Sequence, residues 1–293
     1  MRTTQIAAAV VALFISVASQ SPAADLTITR SGGAVLLRWP QGTTNDFYLQ
    51  FTTNLAPPFT WGNANDPITN GTNLMVTDNG AASSRFYRLK AWEILFDGTS
   101  TAAFRGYQQT TFPPASSWAV TANGELQTVV GGAQLNIITT NQYSDFDLVW
   151  EWKAGTNGNS GVNYRCTEEY SNSEWSGPEY QLLDDVHYTV GAANKIGAVW
   201  NLIAPTNKVT VPTGQWNQCR LIVQGNYVEH WLNGRKVVAY YMNSASFQNL
   251  VAANPMFKLY PNFAKASSGY IAFRHENTPM WYRNIKIRQL PAQ

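Results

Sequence analysis

The stretch Asn217–Tyr241, NQCRLIVQGNYVEHWLNGRKVVAYY, is three runs of alternating apolar and polar residues joined by two-residue turns. The joints, Gly225-Asn226 and Asn233-Gly234, tolerate the positive φ that tight hairpins demand. A period of two puts every second side chain on one face, so the stretch predicts an antiparallel meander with one buried side.

Working outward, the same reading applies to ELQTVV, AQLNIITT, FDLVWEWKA, GVNYRC, EYQLL, GAVWNLI, GYIAFRHE and MWYRNIKIRQL. SASFQNLVAAN, after Asn243, is the one helix candidate. A dozen strands at this spacing predict an all-β, two-sheet jelly roll over residues 91–293, with one concave sheet face. Residues 25–90 carry shorter strands, LTITR, AVLLRWP, FYLQFT, NLMVTD and SRFYRLK, broken by turn residues, and predict a small β-sandwich. Through its LRWP and FYRL elements this segment resembles the short fibronectin type III-like domains of exported bacterial proteins, which implies a spacer or docking module.

Residues 1–24 have one basic residue, an apolar run from Ile6 to Ala18, and small residues at Ser21 and Ala23. They read as a secretory signal peptide, with the mature chain starting near Ala24 or Asp25 in the periplasm or outside the cell. No later stretch is apolar for the roughly 20 residues a spanning helix needs, so no membrane span is expected after cleavage.

A net charge of +2 with no basic stripe argues against a nucleic-acid partner. Aromatic residues reach 13%, including 11 Trp and 14 Tyr, which suits either stacking on sugar faces or the packing of a sandwich core. Cys166 and Cys219 form no zinc pattern; export permits a bridge between them, and their strand-like settings suit buried thiols equally.

Alternation in GVNYRC groups Asn163 with Arg165, and in EYQLL it groups Glu179 with Gln181 and Leu183. If those faces share a cleft, an arginine, a carboxylate and two amides converge on a small polyhydroxylated ligand. The alternative is a solvated sheet face with a surface Arg–Glu pair. Trp175, in the polar loop NSEWSG, is the candidate for sugar stacking, while His230 reads as a strand histidine packed on a tryptophan.

From LFDG (95–98) onward the chain resembles the 3-keto-disaccharide hydrolase family, also described as 3-keto-glycoside lyases and hydratases. The elements that carry the likeness are WAVTANGEL (118–126), FDLVWEW (146–152), NSGVNYR (159–165), GPEYQLLDD (177–185), IGAVW (196–200), GQWNQCR (214–220), VEHWLNG (228–234) and YRNIKI (282–287). The resemblance implies a concanavalin A-like jelly roll, an oxidised glycoside as the carbohydrate partner, and a site to which Glu179, Gln181 and Arg165 map.

In that chemistry a C3 ketone acidifies the C2 hydrogen; a base removes it, the aglycone leaves C1, and water adds later. Glu179 is then the base or a metal ligand, Arg165 holds the enolate, and Asn163 and Gln181 orient hydroxyls. Asp185 reads as a turn residue and Asp184 as a possible ligand, with His187 beside it; a divalent metal stays open. The family's L-Q-x-H-G segment is replaced here by FRHEN (273–277), so Arg274 stands at the glutamine position and Glu276 at the histidine position, one place after His275. A bulge would bring His275 to the cleft, the reading favoured here; strict alternation would bring Glu276 instead. A non-catalytic, lectin-like sugar-binding module is the alternative to an enzyme.

Overall fold

The computed structural model describes residues 25–31, 33–41, 46–57, 60–79 and 84–292, so the leader expected over 1–24 lies outside the described residues. The chain gathers into two units, Met1–Trp92 and Glu93–Gln293. Among the described residues no helix is long and apolar enough to cross a membrane.

The described residues of the first unit form seven strands: β1 Thr27–Ser31, β2 Ala34–Pro40, β3 Phe47–Thr52, β4 Gly62–Asn63, β5 Ile68–Asn70, β6 Asn73–Asp78 and β7 Phe86–Ala91. They form antiparallel sheets in the orders β1-β2-β6-β5 and β4-β3-β7. Alternate residues of β2 supply Val35, Leu37 and Trp39 to a core completed by Leu49, Val76 and Tyr87.

The second unit is the expected two-sheet jelly roll. Its strands are β8 Glu93–Phe96, β9 Phe104–Gly106, β10 Trp118–Val120, β11 Leu126–Thr128, β12 Ile137–Thr139, β13 Phe146–Ala154, β14 Asn159–Cys166, β15 Glu179–Leu183, β16 Asn217–Gln224, β17 Tyr227–Leu232, β18 Arg235–Tyr241, β19 Tyr270–Phe273 and β20 Met280–Gln289. One sheet runs β10-β11-β20-β13-β16-β17-β18, with β8 also paired to β20; the other runs β15-β14-β19-β12-β9.

The meander β16–β18 closes through the two expected turns. Asn233 and Gly234 both take positive φ (48° and 77°), whereas at the first turn Gly225 (57°) carries the left-handed conformation before Asn226. The helix α1, Ala245–Ala253, is capped by the Ser244 hydroxyl, which accepts from the Phe247 N–H. The expected strand GAVWNLI is instead a looped segment held by isolated bridges, because Gly197 (φ 85°) and Asn201 (φ 60°) turn the chain.

Phe146, Leu148, Trp150 and Trp152 of β13 face the partner sheet's Val162, Tyr164, Tyr180, Leu182, Ile271 and Phe273 in one core. Trp150 meets Tyr180 and Phe273 edge-on across the sandwich, at 5.2 and 6.4 Å between ring centres. Much of the aromatic surplus is therefore core, each buried ring worth roughly 1.5–3 kcal/mol. On the opposite face of β13, Asp147 is fully buried between the guanidinium groups of Arg220 and Arg288, which donate to it at 2.8 Å. Cys166 and Cys219 are buried free thiols, so the bridge that export would permit is not formed.

A polar chain crosses this core. Tyr164 Oη lies 2.6 Å from Tyr240 Oη and 3.1 Å from His230 Nε2, and His230 Nδ1 lies 3.0 Å from the Gly197 carbonyl. A carbonyl only accepts, so the Nδ1–H donates to Gly197 and Nε2 accepts from Tyr164. Burial pushes the imidazole down to about 4, which keeps it neutral. His230 packs on Tyr180, at 4.4 Å, and on Tyr164, rather than on the tryptophan its sequence neighbour suggested.

Candidate active site

The outward face of β15, β14 and β19 carries the polar group. In β15, Tyr180 and Leu182 point into the core, which sends Glu179 and Gln181 to the other side. Antiparallel pairing sets Asn163 opposite Glu179 and Gly161 opposite Gln181. All three polar side chains are buried beneath loops, at 0–4% exposure, so the solvated-face alternative does not hold.

Arg274 is the hub. It follows β19, where Phe273 faces the core, and its backbone N–H donates to the Gly161 carbonyl at 3.0 Å. Its Nη1 donates to Glu179 Oε2 at 2.8 Å, and its Nη2 reaches Glu174 Oε1 at 3.0 Å and Glu276 Oε1 at 2.5 Å. The Trp200 ring lies against the guanidinium, 5.7 Å from its carbon to the ring centre. One cation thus gathers three carboxyl groups, two of them almost wholly buried.

Among the described residues, four polar atoms of this cluster have no hydrogen-bond partner: Glu179 Oε1, Glu174 Oε2, Gln181 Oε1 and Arg274 Nε. Buried polar atoms are nearly always paired, and these four unpartnered ones lie together around one guanidinium. Burial is the largest influence on Glu179 and pushes its carboxyl up to about 8, against the opposing pull of Arg274; Glu174 and Glu276 push it further upward. Glu174 is raised as well, again chiefly by burial.

The surroundings are built to hold these groups still. A Cβ on Gly161 would stand 1.9 Å from Glu179 Oε1, so only glycine lets that carboxyl lie flat across β14. Asn163 accepts from the Ser173 hydroxyl at 2.7 Å, and Asn136 donates to Ser173 Oγ and to Asn172 Oδ1, fixing the single 3-10 turn that carries Glu174. Gln181 donates to Asn159 Oδ1 at 2.9 Å. The Gly197–Trp200 segment lies alongside β15: Gly197 and Trp200 donate to the Gln181 and Glu179 carbonyls, and Gln181 donates to Ala198.

Three expectations about site residues are corrected. Arg165 does not join Asn163: the strand bulges between Asn163 and Cys166, Arg165 takes φ 49°, and its guanidinium donates to the Ser144 carbonyl and Asp145. His275 does not reach the cluster. Alternation continues past Phe273, so His275 turns inward beside Trp118, with Nε2–H donating to the Ser117 carbonyl and Nδ1 accepting from the Asn277 N–H. Glu276 takes the outward place on Arg274. Asp184 is also saturated away from the cluster, accepting from Thr213, His187 and the Asn157 N–H, which makes it a loop anchor.

Trp175 stacks on Tyr260 at 4.8 Å and 9°, so one ring face is already covered. Asp185 accepts from the Ile196 N–H and pairs with Lys208, the turn role expected of it. Glu174, Arg274 as hub, Trp200 and Gly161 were not singled out from sequence. Glu174 sits in a loop without periodicity, and only its neighbour Trp175 gave a signal there. Among the described residues, no group of three or more His, Cys, Asp or Glu side chains is arranged to hold a metal ion; the carboxyl groups converge on a guanidinium instead.

The model of the 3-keto-alpha-glucoside-1,2-lyase-like domain matches residues 91–288. A 3-keto-disaccharide hydrolase of Bacteroides thetaiotaomicron is 25% identical over 229 residues, 67% of this chain and 77% of that protein. A crystal structure of a candidate glycosyl hydrolase from Parabacteroides distasonis superposes with a TM-score of 0.63 at 26% identity, over 68% of this chain and 94% of that one. A second such structure from the same organism gives 0.56 at 26% identity, over 69% and 100%.

Proposed function

This chain belongs to the 3-keto-alpha-glucoside-1,2-lyase-like family, and from that premise we propose that it is an exported enzyme that cleaves 3-keto-glycosides by removing the C2 proton. The observation that carries the reading is the orphaned Oε1 of Glu179, a buried carboxyl oxygen with no partner among the described residues, held over Gly161 beside a guanidinium.

A C3 ketone makes the C2–H bond acidic. Glu179 Oε1 takes that proton, and the C–H electron pair forms a C2=C3 enolate whose negative oxygen needs a fixed positive partner. Arg274 is the buried cation of the cluster, and its free Nε–H is a donor ready for that oxygen. Gln181 Oε1 accepts from a sugar hydroxyl, and Trp200 supplies an apolar wall. The enolate then reforms C3=O, a C1=C2 double bond forms, and the C1–O bond to the aglycone breaks. Water adding across C1=C2 completes a net hydrolysis.

The test is incubation of the purified protein with 3-keto-trehalose, 3-keto-lactose and a 3-keto-glucoside beside the unoxidised sugars. Release of sugar from the keto forms alone supports the reading. Saturable binding without turnover overturns it in favour of a lectin-like module.

Gly161→Ala gives a finer check of the base. The added methyl displaces the Glu179 carboxyl while Arg274 and β14 remain, and misplacement by about 1 Å can cost about a hundredfold. Turnover therefore falls on that scale while the circular dichroism spectrum stays unchanged. Near-normal turnover would show that Oε1 does no chemistry in the position observed.

A further inference from the structure

A carboxyl that has taken the C2 proton can pass it to the departing oxygen only if both lie on one face of the sugar, and a second carboxyl beside the leaving group removes that restriction. The geometry points to Glu174 as the second catalytic carboxyl, the acid that protonates the leaving aglycone oxygen. This rests on the keto-glycoside reading above and adds to it a residue that the sequence motifs do not mark.

Arg274 holds Glu179 through Nη1 and Glu174 through Nη2, so the two carboxyl groups flank one guanidinium edge. Each has one oxygen occupied and one free. Glu174 Oε1 accepts from Arg274 and from Asn172 Nδ2, both at 3.0 Å, and Oε2 has no partner among the described residues. Any proton on Glu174 therefore sits on Oε2, the buried oxygen that no protein group among the described residues engages. Glu179 shows the same arrangement, with Oε2 held and Oε1 free.

Three carboxyl groups around one cation cannot all be ionised cheaply in a buried site, so the pair retains a proton. The pair shares that proton between two forms, and the reactive one carries it on Glu174 with Glu179 as the base, a division of roles seen in other carboxyl pairs. Glu276, at 27% side-chain exposure, is the most solvated of the three and pairs with Arg274 at 2.5 Å. The turn carrying Glu174 is anchored by Asn172, Ser173, Asn163 and Asn136, which keeps Oε2 in place between substrates.

The proton balance closes over the cycle. In elimination Glu179 gains the C2 proton, Glu174 gives one to the aglycone oxygen as C1–O breaks, and the sugar keeps a C1=C2 double bond. In hydration Glu174 takes a proton from water as its oxygen bonds to C1, and Glu179 returns its proton to C2. Water is the one co-reactant, and both carboxyl groups end as they began.

The experiment compares two 3-keto-glucosides in wild type and Glu174→Gln, one with an alkyl aglycone and one with a 4-nitrophenyl aglycone. The alkoxide is a poor leaving group without a proton, whereas nitrophenolate departs unaided. We expect the variant to lose about a hundredfold or more on the alkyl substrate and less than about tenfold on the nitrophenyl one. The ratio is internal to one preparation, so a partly unfolded fraction does not alter it, and Glu174→Ser gives the same comparison should the Gln variant not fold. Equal losses on both aglycones overturn the assignment while leaving the keto-glycoside reading intact. A wild type that cleaves neither substrate defeats that reading itself.

Discussion

Glu179→Gln is expected to lower the proposed turnover of 3-keto-glycosides by about a hundredfold or more, the usual scale of a lost general base, and to leave the fold intact. Glutamine keeps the length of the side chain and an oxygen to accept from Arg274 Nη1, so the position between β14 and Arg274 is retained. What disappears is the oxygen that can become negative. Glu179 acts as a base only when ionised, and burial pushes its carboxyl up to about 8 against the attraction of Arg274. On the proposed mechanism the wild-type rate therefore climbs as pH rises toward about 8 and, for alkyl aglycones, falls again once Glu174 loses the proton it donates, and the variant lacks the rise.

Stability supplies an independent readout. A carboxyl raised in the folded state from its ordinary 4.5 stabilises fully below 4.5, and that contribution is lost as pH rises through about 8. Wild type should accordingly lose melting temperature between pH 4.5 and 8, and Glu179→Gln should lose less over the same window. Identical pH dependence of melting in the two proteins would mean that folding does not raise the proton affinity of Glu179.

The parts of this site that alternation controls were legible in the sequence. Glu179, Gln181 and Asn163 share a face because β14 and β15 keep their period of two, and their partners Tyr180, Leu182 and Val162 are unmistakably core residues. Arg165 escaped because a bulge with positive φ at an arginine leaves no composition signal; glycine or asparagine would have flagged it. His275 was misplaced because a histidine suggests proton transfer, while its actual surroundings, Trp118 and the Ser117 carbonyl, come from a distant strand and the turn before it. Glu174 was invisible for a third reason: its position depends on side-chain bonds from Asn136 and Asn163, contacts that no local pattern encodes. The rings that looked available for sugars were mostly claimed by the core, and Trp200 reached Arg274 through a loop read as a strand.

Arg274→Gln should destabilise the protein by about 3–5 kcal/mol near pH 8, the cost typical of removing one partner of a buried ion pair, and by much less at pH 5. The sign follows from the three carboxyl groups it leaves behind. Without the guanidinium the folded-state titrations of Glu179 and Glu174 move further above their ordinary values, so both stay protonated and tolerable at pH 5. As pH rises the unfolded chain releases those protons first, and the folded state loses ground until they ionise. Urea unfolding at the two pH values measures the difference.

The sequence departure from the family gives this prediction a second arm. The resemblance implies glutamine and histidine where this chain has Arg274 and Glu276, which pair at 2.5 Å. Both combinations carry no net charge near neutral pH, so the exchange conserves the charge of the pair while Arg274→Gln alone does not. Adding Glu276→His to Arg274→Gln should thus recover a large part of the lost stability near pH 8, with a coupling beyond about 0.5 kcal/mol, the level above which neighbouring sites are not additive. Additive losses would show that Arg274 serves Glu179 and Glu174 alone, and that Glu276 is an accidental neighbour rather than its charge partner.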